Sequence, residues 1–420
     1  MTSTTSQRQY DPVSVSPLSF WAGTAEEREK TFKTLRDERP ISWHPPIEGG
    51  LMPPEKDGFW AVVRHEDIVR VSKDWQTFSS ASGVLMEEMP PEILEAGQSF
   101  LGMDPPRHTR LRRLISAAFT PKRVAKIEHQ IRQQAKHIVD DLIDTGDCDF
   151  VQQVSKRLPM WTIFEMMGLP DEHREEAAHG ADGMVSWADE EVAAGREPGQ
   201  VVADAMMTLL SLGLDLAAQR RASPADDLMT NLVRAEVDGQ RLTDEEIGAF
   251  FVLLSVAGND TTRNTISLTM KALCDFPDQR QLLRSDFNGR IATAVEEFVR
   301  WVTPVMTFRR TAARDVELGG RQIHEGDWVV TFFSSGNRDE RVFEDPNVFD
   351  ITRDPNPHVA FGGGGPHFCL GNQLAKTQLR AIFNQLTHRV PNLEVGEPTY
   401  LVGNFVRAVK SMPCTIGAHQ

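Results

Sequence analysis

Apolar residues recur every three to four positions through the middle of the chain, and every second position only in short stretches near its ends. From His108 the runs HTRLRRLISAAF and VAKIEHQIRQQAKHIVDDLIDTG carry the helical period. So does most of Val151 to Arg221, with breaks at Gly168 to Pro170 and between Gly195 and Gly199. Thr243, followed three residues later by Glu246, predicts a capped helix start, and that helix is expected to run to about Cys274. The segment Gly58 to Val71 (GFWAVVRHEDIVRV) reads as a short strand and then an amphipathic helix. Strand-like character returns at Asp315 to Gly319, Trp328 to Phe333 and around Val402 to Val409. The stretch Gly83 to Pro106 mixes Met, Leu and Ile with Gly and Pro, which predicts a long loop able to cover a pocket. The whole predicts a mainly α protein with small peripheral β-sheets, as one domain over residues 1–420. An extended, proline-punctuated segment, 1–57, precedes a core, 58–420.

Composition narrows the class. Hydrophobic residues make up 40% and charged residues 25%, enough for an extended core and too apolar for a disordered chain. A formal net charge of -15 disfavours nucleic acid or an anionic membrane as a general partner. Met1 to Phe20 lacks the apolar centre of a signal peptide, and no later stretch is read as a bilayer span, so no membrane anchor and a cytoplasmic location are expected. The four cysteines, Cys148, Cys274, Cys369 and Cys414, show no metal-type or redox spacing and are expected to be free thiols.

Cys369 differs by its neighbours. Phe361 to Gly371 reads FGGGGPHFCLG and runs straight into the helical NQLAKTQLRAIFNQL. A glycine-rich loop thus delivers a cysteine to a helix N-terminus, where free N–H groups favour thiolate over thiol. Glycines also let the backbone approach a flat ligand closely. A flexible loop with a buried cysteine is the plain alternative. A phosphate-cradling loop is another, although the Gly-Lys-Ser/Thr ending is missing.

Inside the long helix, FFVLLSVAGNDTT (Phe250 to Thr262) interrupts an apolar run with Ala257, Gly258, an acid and two hydroxyls. That pattern fits a local bulge at a functional site, and equally a helix ending at Gly258 with a new one capped by Asn259 or Asp260. Glu297 and Arg300 form an i, i+3 pair, which alone is an ordinary surface salt bridge. His108 and Arg112, four apart, share a helical face.

Together these segments resemble the cytochrome P450 superfamily from about residue 60 onward. Its cysteine loop carries a Phe, several Gly, a basic residue two before the cysteine and a Gly two after it, as His367, Cys369 and Gly371 do here. Phe361 lies eight positions before Cys369 where seven is commonest, so the loop holds one additional residue. This form is similar to that of actinobacterial members acting on sterol side chains and methyl-branched lipids. Asp260 and Thr261 match the family's Ala/Gly-Gly-x-Asp/Glu-Thr pattern.

The resemblance implies a triangular helical body enclosing haem b (iron protoporphyrin IX), with Cys369 as axial ligand and Phe361, Gly362, Gly371, Ala257 and Gly258 beside the ring. His108, Arg112, Arg310 and His367 would meet the propionates, and Asp260 and Thr261 would relay protons to bound O2. Glu297, Arg300 and Arg353 would be scaffold. Leu101, Val256, Ala257, Val305 and Phe405 are the expected substrate contacts, in an apolar pocket suited to terminal hydroxylation of a branched lipid, isoprenoid or sterol side chain.

Electrons would come from NAD(P)H through a ferredoxin and its reductase. Arg107, Arg110, Arg113, Lys122, Arg123 and Lys126 are the expected docking charges, with a solvated helix face as the alternative reading. A monomer is expected. A peroxide-using haem-thiolate enzyme and a haem-based ligand sensor remain as other readings.

Overall fold

The computed structural model describes residues 8–88, 100–118, 121–187 and 189–417, the side chains of 118 and 121–124 excepted. Its axis is the helix Asp244–Asp275, which opens with Thr243 and Glu246 in a reciprocal capping box. Around it pack the helices Arg157–Met167, Asp171–Val185, Pro198–Ala222, Phe287–Val302 and Asn372–Arg389. Helix Arg107–Ala118 replaces the loop character of the preceding residues at the position the periodicity predicts, and Pro121–Thr145 follows it. Gly168, at a φ of 79°, ends the helix before Pro170 in the left-handed conformation that glycine adopts without strain. A π-helical turn, Val151–Ser155, lies at the start of the next helical region.

To one side lies a five-stranded sheet in the order Ile41–His44, Phe59–Val62, Trp328–Phe332, Thr307–Ala312, Phe78–Ser79. Phe59–Val62 runs parallel to Trp328–Phe332 and the other pairs are antiparallel.

Three expectations need correction. The opening segment is not simply extended. Thr24 and Glu27 form a second capping box, leading into helix Ala25–Glu38, which buries Phe32 and Leu35 against the sheet, and Ile41–His44 is that sheet's edge strand. Around Val402 to Val409 there is mostly loop: Thr399–Tyr400 and Val409–Ser411 pair, and between them only Val406 bridges, to Val305. One segment does reach the length and apolarity of a bilayer span, Pro198–Ala222. Half of that window is buried, with Val201, Ala205, Leu209, Leu212 and Leu216 packed inside, so its apolar residues serve the helical core.

The four cysteines are free thiols, as expected, but two of them are neighbours in space. Cys148 and Cys414 are register partners of two antiparallel strands, with sulfurs 3.1 Å apart, and both are free.

Candidate functional site

The loop before helix Asn372–Arg389 is shaped by its glycines. Gly362, Gly364 and Gly365 hold φ of 94°, 93° and 75°, a region closed to most side chains. A Cβ at Gly363 would stand 2.6 Å from the Ser72 hydroxyl, so the run packs tightly on the end of helix His65–Lys73. The Cys369 amide donates to the Phe361 carbonyl at 3.0 Å, closing the loop on itself and absorbing the additional residue. Burial pushes the Cys369 thiol up, while the Gly371 amide and the Arg112 guanidinium pull against it.

Arg112 does not point freely at a ligand. Its Nη1 and Nη2 donate to the carbonyls of Pro366 and Phe368, at 3.0 and 2.6 Å, and so fasten the loop on both sides of His367. His108, one turn earlier, is fully buried, and its ring centre lies 4.4 Å from that of His367. Among the described residues, neither nitrogen of either ring has a hydrogen-bond partner. Arg310 is buried beside them and, among the described residues, forms no ion pair; its Nη1 donates to the Arg309 carbonyl at 2.8 Å. Burial lowers His108 to about 4 and His367 to about 3, with neighbouring positive charge adding to it. Buried donors without acceptors call for a bound anion. The two carboxylates of a porphyrin fit this recess, and a thiol at the adjacent helix start fits the iron.

Helix Asp244–Asp275 continues through Gly258 without a break or bulge. The glycine serves contact instead: a Cβ there would meet Ile163 Cδ1 at 2.5 Å, so its absence lets two helices touch. Ala257 is exposed although it sits mid-helix, and the Thr261 hydroxyl donates back to its carbonyl at 2.9 Å. Asp260 faces the other way. Its buried carboxylate is ion-paired with Arg263, which also reaches Asp182 at 3.0 Å, and Asp182 receives Lys156 at 2.8 Å. Burial outweighs that charge and raises Asp260 to about 6. Sequence reasoning missed Arg263, although its i+3 spacing from Asp260 is a readable signal.

Glu297, Arg300 and Arg353 do meet. Arg300 grips the Glu297 carboxylate with two bonds of 2.7 Å and donates to the carbonyls of Asn337 and Pro346, while Arg353 Nε stands 3.4 Å from the same carboxylate. Glu297 and Arg300 are fully buried, not on the surface. The expected docking charges are engaged by acids: Arg110 by Glu246, Arg113 by Asp238 and Lys126 by Asp226. Nothing is described of the Lys122 and Arg123 side chains.

Above the loop side of the long helix opens a cavity of about 840 Å³. Leu101, Val256 and Phe405, three of the expected substrate contacts, line it together with Val252, Leu253 and Met206. Ala257 and Val305 are not part of its wall. Of the expected covering loop, Gly83 to Leu85 and Leu101 contribute, and residues 89–99 lie outside the described ones.

Residues 149–389 match the family model for cytochrome P450. Over 409 residues, 96% of this chain and 94% of the relative, the sequence is 40% identical to a methyl-branched lipid omega-hydroxylase of Mycobacterium tuberculosis. The chain belongs to the cytochrome P450 family. It is a haem monooxygenase that uses O2 and electrons from redox partners to oxidise an apolar substrate. A second relative, a steroid C26-monooxygenase of Mycolicibacterium smegmatis, is 40% identical over 385 residues, 90% of this chain and 87% of its own. Among solved structures, a P450 of Mycobacterium marinum in complex with pseudoionone superposes with a TM-score of 0.94 at 56% identity, covering 98% of this chain and all of that one. The mainly helical P450 architecture expected from the sequence is therefore the one observed.

Proposed function

We propose that this P450 inserts one oxygen atom into a terminal C–H bond of a methyl-branched lipid or a sterol-type side chain, and that the Cys369 thiolate would hold the haem iron. The observation that carries the reading is the cavity of about 840 Å³, whose apolar wall of Val252, Leu253, Val256 and Phe405 offers a branched chain contact area. Relatives named for branched-lipid and steroid oxidation support the same class.

Bound against Cys369, the haem supplies oxygen activation, and the chain's own residues supply position and protons. His108, His367 and Arg310 offer the propionates their unused donors, while Arg112 holds the loop that presents the sulfur. Asp260, raised to about 6, holds a proton for part of the time near neutrality and can release it when its carboxylate returns to Arg263. Thr261, next in sequence, is bonded to the Ala257 carbonyl on the exposed side of the helix and offers a hydroxyl there. NAD(P)H would feed the electrons through a ferredoxin and its reductase. The paired surface arginines and lysine can exchange partners at small cost, since exposed ion pairs contribute only about 0–1 kcal/mol.

Reduction under carbon monoxide tests the ligand: a strongly red-shifted haem band, lost in Cys369→Ala, is expected, and an imidazole-like band in the native protein refutes it. Product analysis with a reconstituted redox chain tests the substrate. Terminal alcohols of branched lipids or sterol side chains are expected, and oxidation confined to polar aromatic compounds refutes the class.

A further inference from the structure

The cavity is apolar over most of its wall, yet that wall also holds a buried arginine. Arg309 and Arg310 are consecutive on strand Thr307–Ala312, so the alternation of side chains sends them to opposite faces. Arg310 lies over the Phe308 ring and acts on His367, whereas Arg309 stacks on Trp328, 3.7 Å from the ring centre, and lines the cavity. Arg309 is 4% exposed. Its Nη2 donates to the Ser82 carbonyl at 2.5 Å, while Nε and Nη1 have no hydrogen-bond partner. Among the described residues it forms no ion pair, and burial lowers it to about 10, which leaves it charged at neutral pH. Glu88 and Glu87 are the acids that act on it, neither in an ion pair with it; Glu87 receives the Asn404 Nδ2 at 2.6 Å, and Asn404 Oδ1 has no hydrogen-bond partner among the described residues. The wall's other cation, Lys410, is already paired with Asp189 and Glu191.

Arg309 stands in the wall of the cavity with two donors unused, and a buried cation of this kind is relieved by an anion on the substrate. We infer that Arg309 recognises a carboxylate at the end of the substrate remote from the oxidised carbon, so that the preferred substrate is a lipid or side-chain acid. The inference rests on the proposed function, because it assigns the polar end of the molecule whose apolar end that reading places near the haem. Arg309 is on this account a specificity residue. Its contact with Ser82 fastens a loop, and that contact alone gives no reason for the protein to distinguish an acid from its ester.

The test is calorimetric titration of the haem-loaded protein with isopalmitic acid and with its methyl ester, on native protein, Arg309→Gln and Arg309→Lys. The native protein is expected to prefer the acid, and Arg309→Gln to lose roughly ten- to a hundredfold in affinity for the acid while its ester affinity stays within about threefold. Arg309→Lys is expected to keep part of the preference, which separates lost charge from a damaged fold. Equal native affinity for acid and ester overturns the inference and leaves the proposed function standing. Binding of neither overturns both.

Discussion

Replacing Arg310 by Met should move the haem-free and haem-bound proteins in opposite directions. The guanidinium is buried, and burial holds it well below the usual arginine range, at about 10. At about 1.36 kcal/mol per unit, the folded haem-free protein carries on the order of 3 kcal/mol of uncompensated desolvation at this residue. For a base held low the sign is fixed: the penalty is present in full below about 10 and is relieved only as pH rises through 10 toward the usual arginine range, so it operates at every ordinary pH. Methionine removes the charge and fills the space, at the loss of one hydrogen bond to the Arg309 carbonyl worth about 1 kcal/mol. The haem-free variant should therefore be more stable than native by about 1–3 kcal/mol, read as a higher urea midpoint at unchanged slope. In the loaded protein the same substitution deletes a charge-assisted bond to a propionate worth about 1.5–3 kcal/mol, so haem transfer to excess apomyoglobin should quicken roughly ten- to a hundredfold. A destabilised haem-free variant together with unchanged haem loss would refute the reasoning, because Arg310 would then be an ordinary structural arginine.

Other consequences follow from the same geometry. Asp260→Asn should cut turnover by roughly a hundredfold with substrate affinity unchanged. Because Asp260 is raised from 3.8 to about 6, its stabilising contribution is full below 3.8 and lost as pH rises through 6; the stability of native over variant should decline across that window in thermal melts. Gly258→Val should cost about 1–3 kcal/mol by driving a side chain into Ile163, and a second substitution, Ile163→Ala, should recover part of it in urea unfolding. Arg300→Lys keeps the charge but cannot serve two carboxylate oxygens and two carbonyls at once, so a loss of about 2–4 kcal/mol is expected; a loss under about 0.5 would show that charge alone matters there. Reversing Arg113 and Lys126 to Glu should weaken ferredoxin-supported turnover most at low salt, and a salt profile identical to native would remove that surface from the docking site.

What the sequence made legible is what neighbours in sequence decide. The capping box at Thr243 and Glu246 and the glycine loop ending in Cys369 are local devices, and both stand where they were read. The same capping signature at Thr24 and Glu27 was overshadowed by the surrounding prolines, although Phe32 and Leu35 already marked a buried face. Gly258 shows propensity yielding to packing. A helix interior loses about 1 kcal/mol at a glycine, which suggested a break, yet contact with Ile163 and the buried residues on either side keep the helix whole. Asp260 and Arg310 were recognised as candidates, but their neighbours determine what they can do, and those lie on other elements: Asp182 from another helix, His367 from the cysteine loop.

The cavity is less legible still. Met206 and Val252 come from separate helices, and Arg309 and Phe405 from a strand and a distant loop, so no periodicity announces that they share a wall. Two adjacent arginines look interchangeable in sequence. Strand geometry makes one face the histidine recess and the other the substrate cavity, and it is this division, rather than the shared P450 motifs, that gives this chain a means of choosing among apolar substrates.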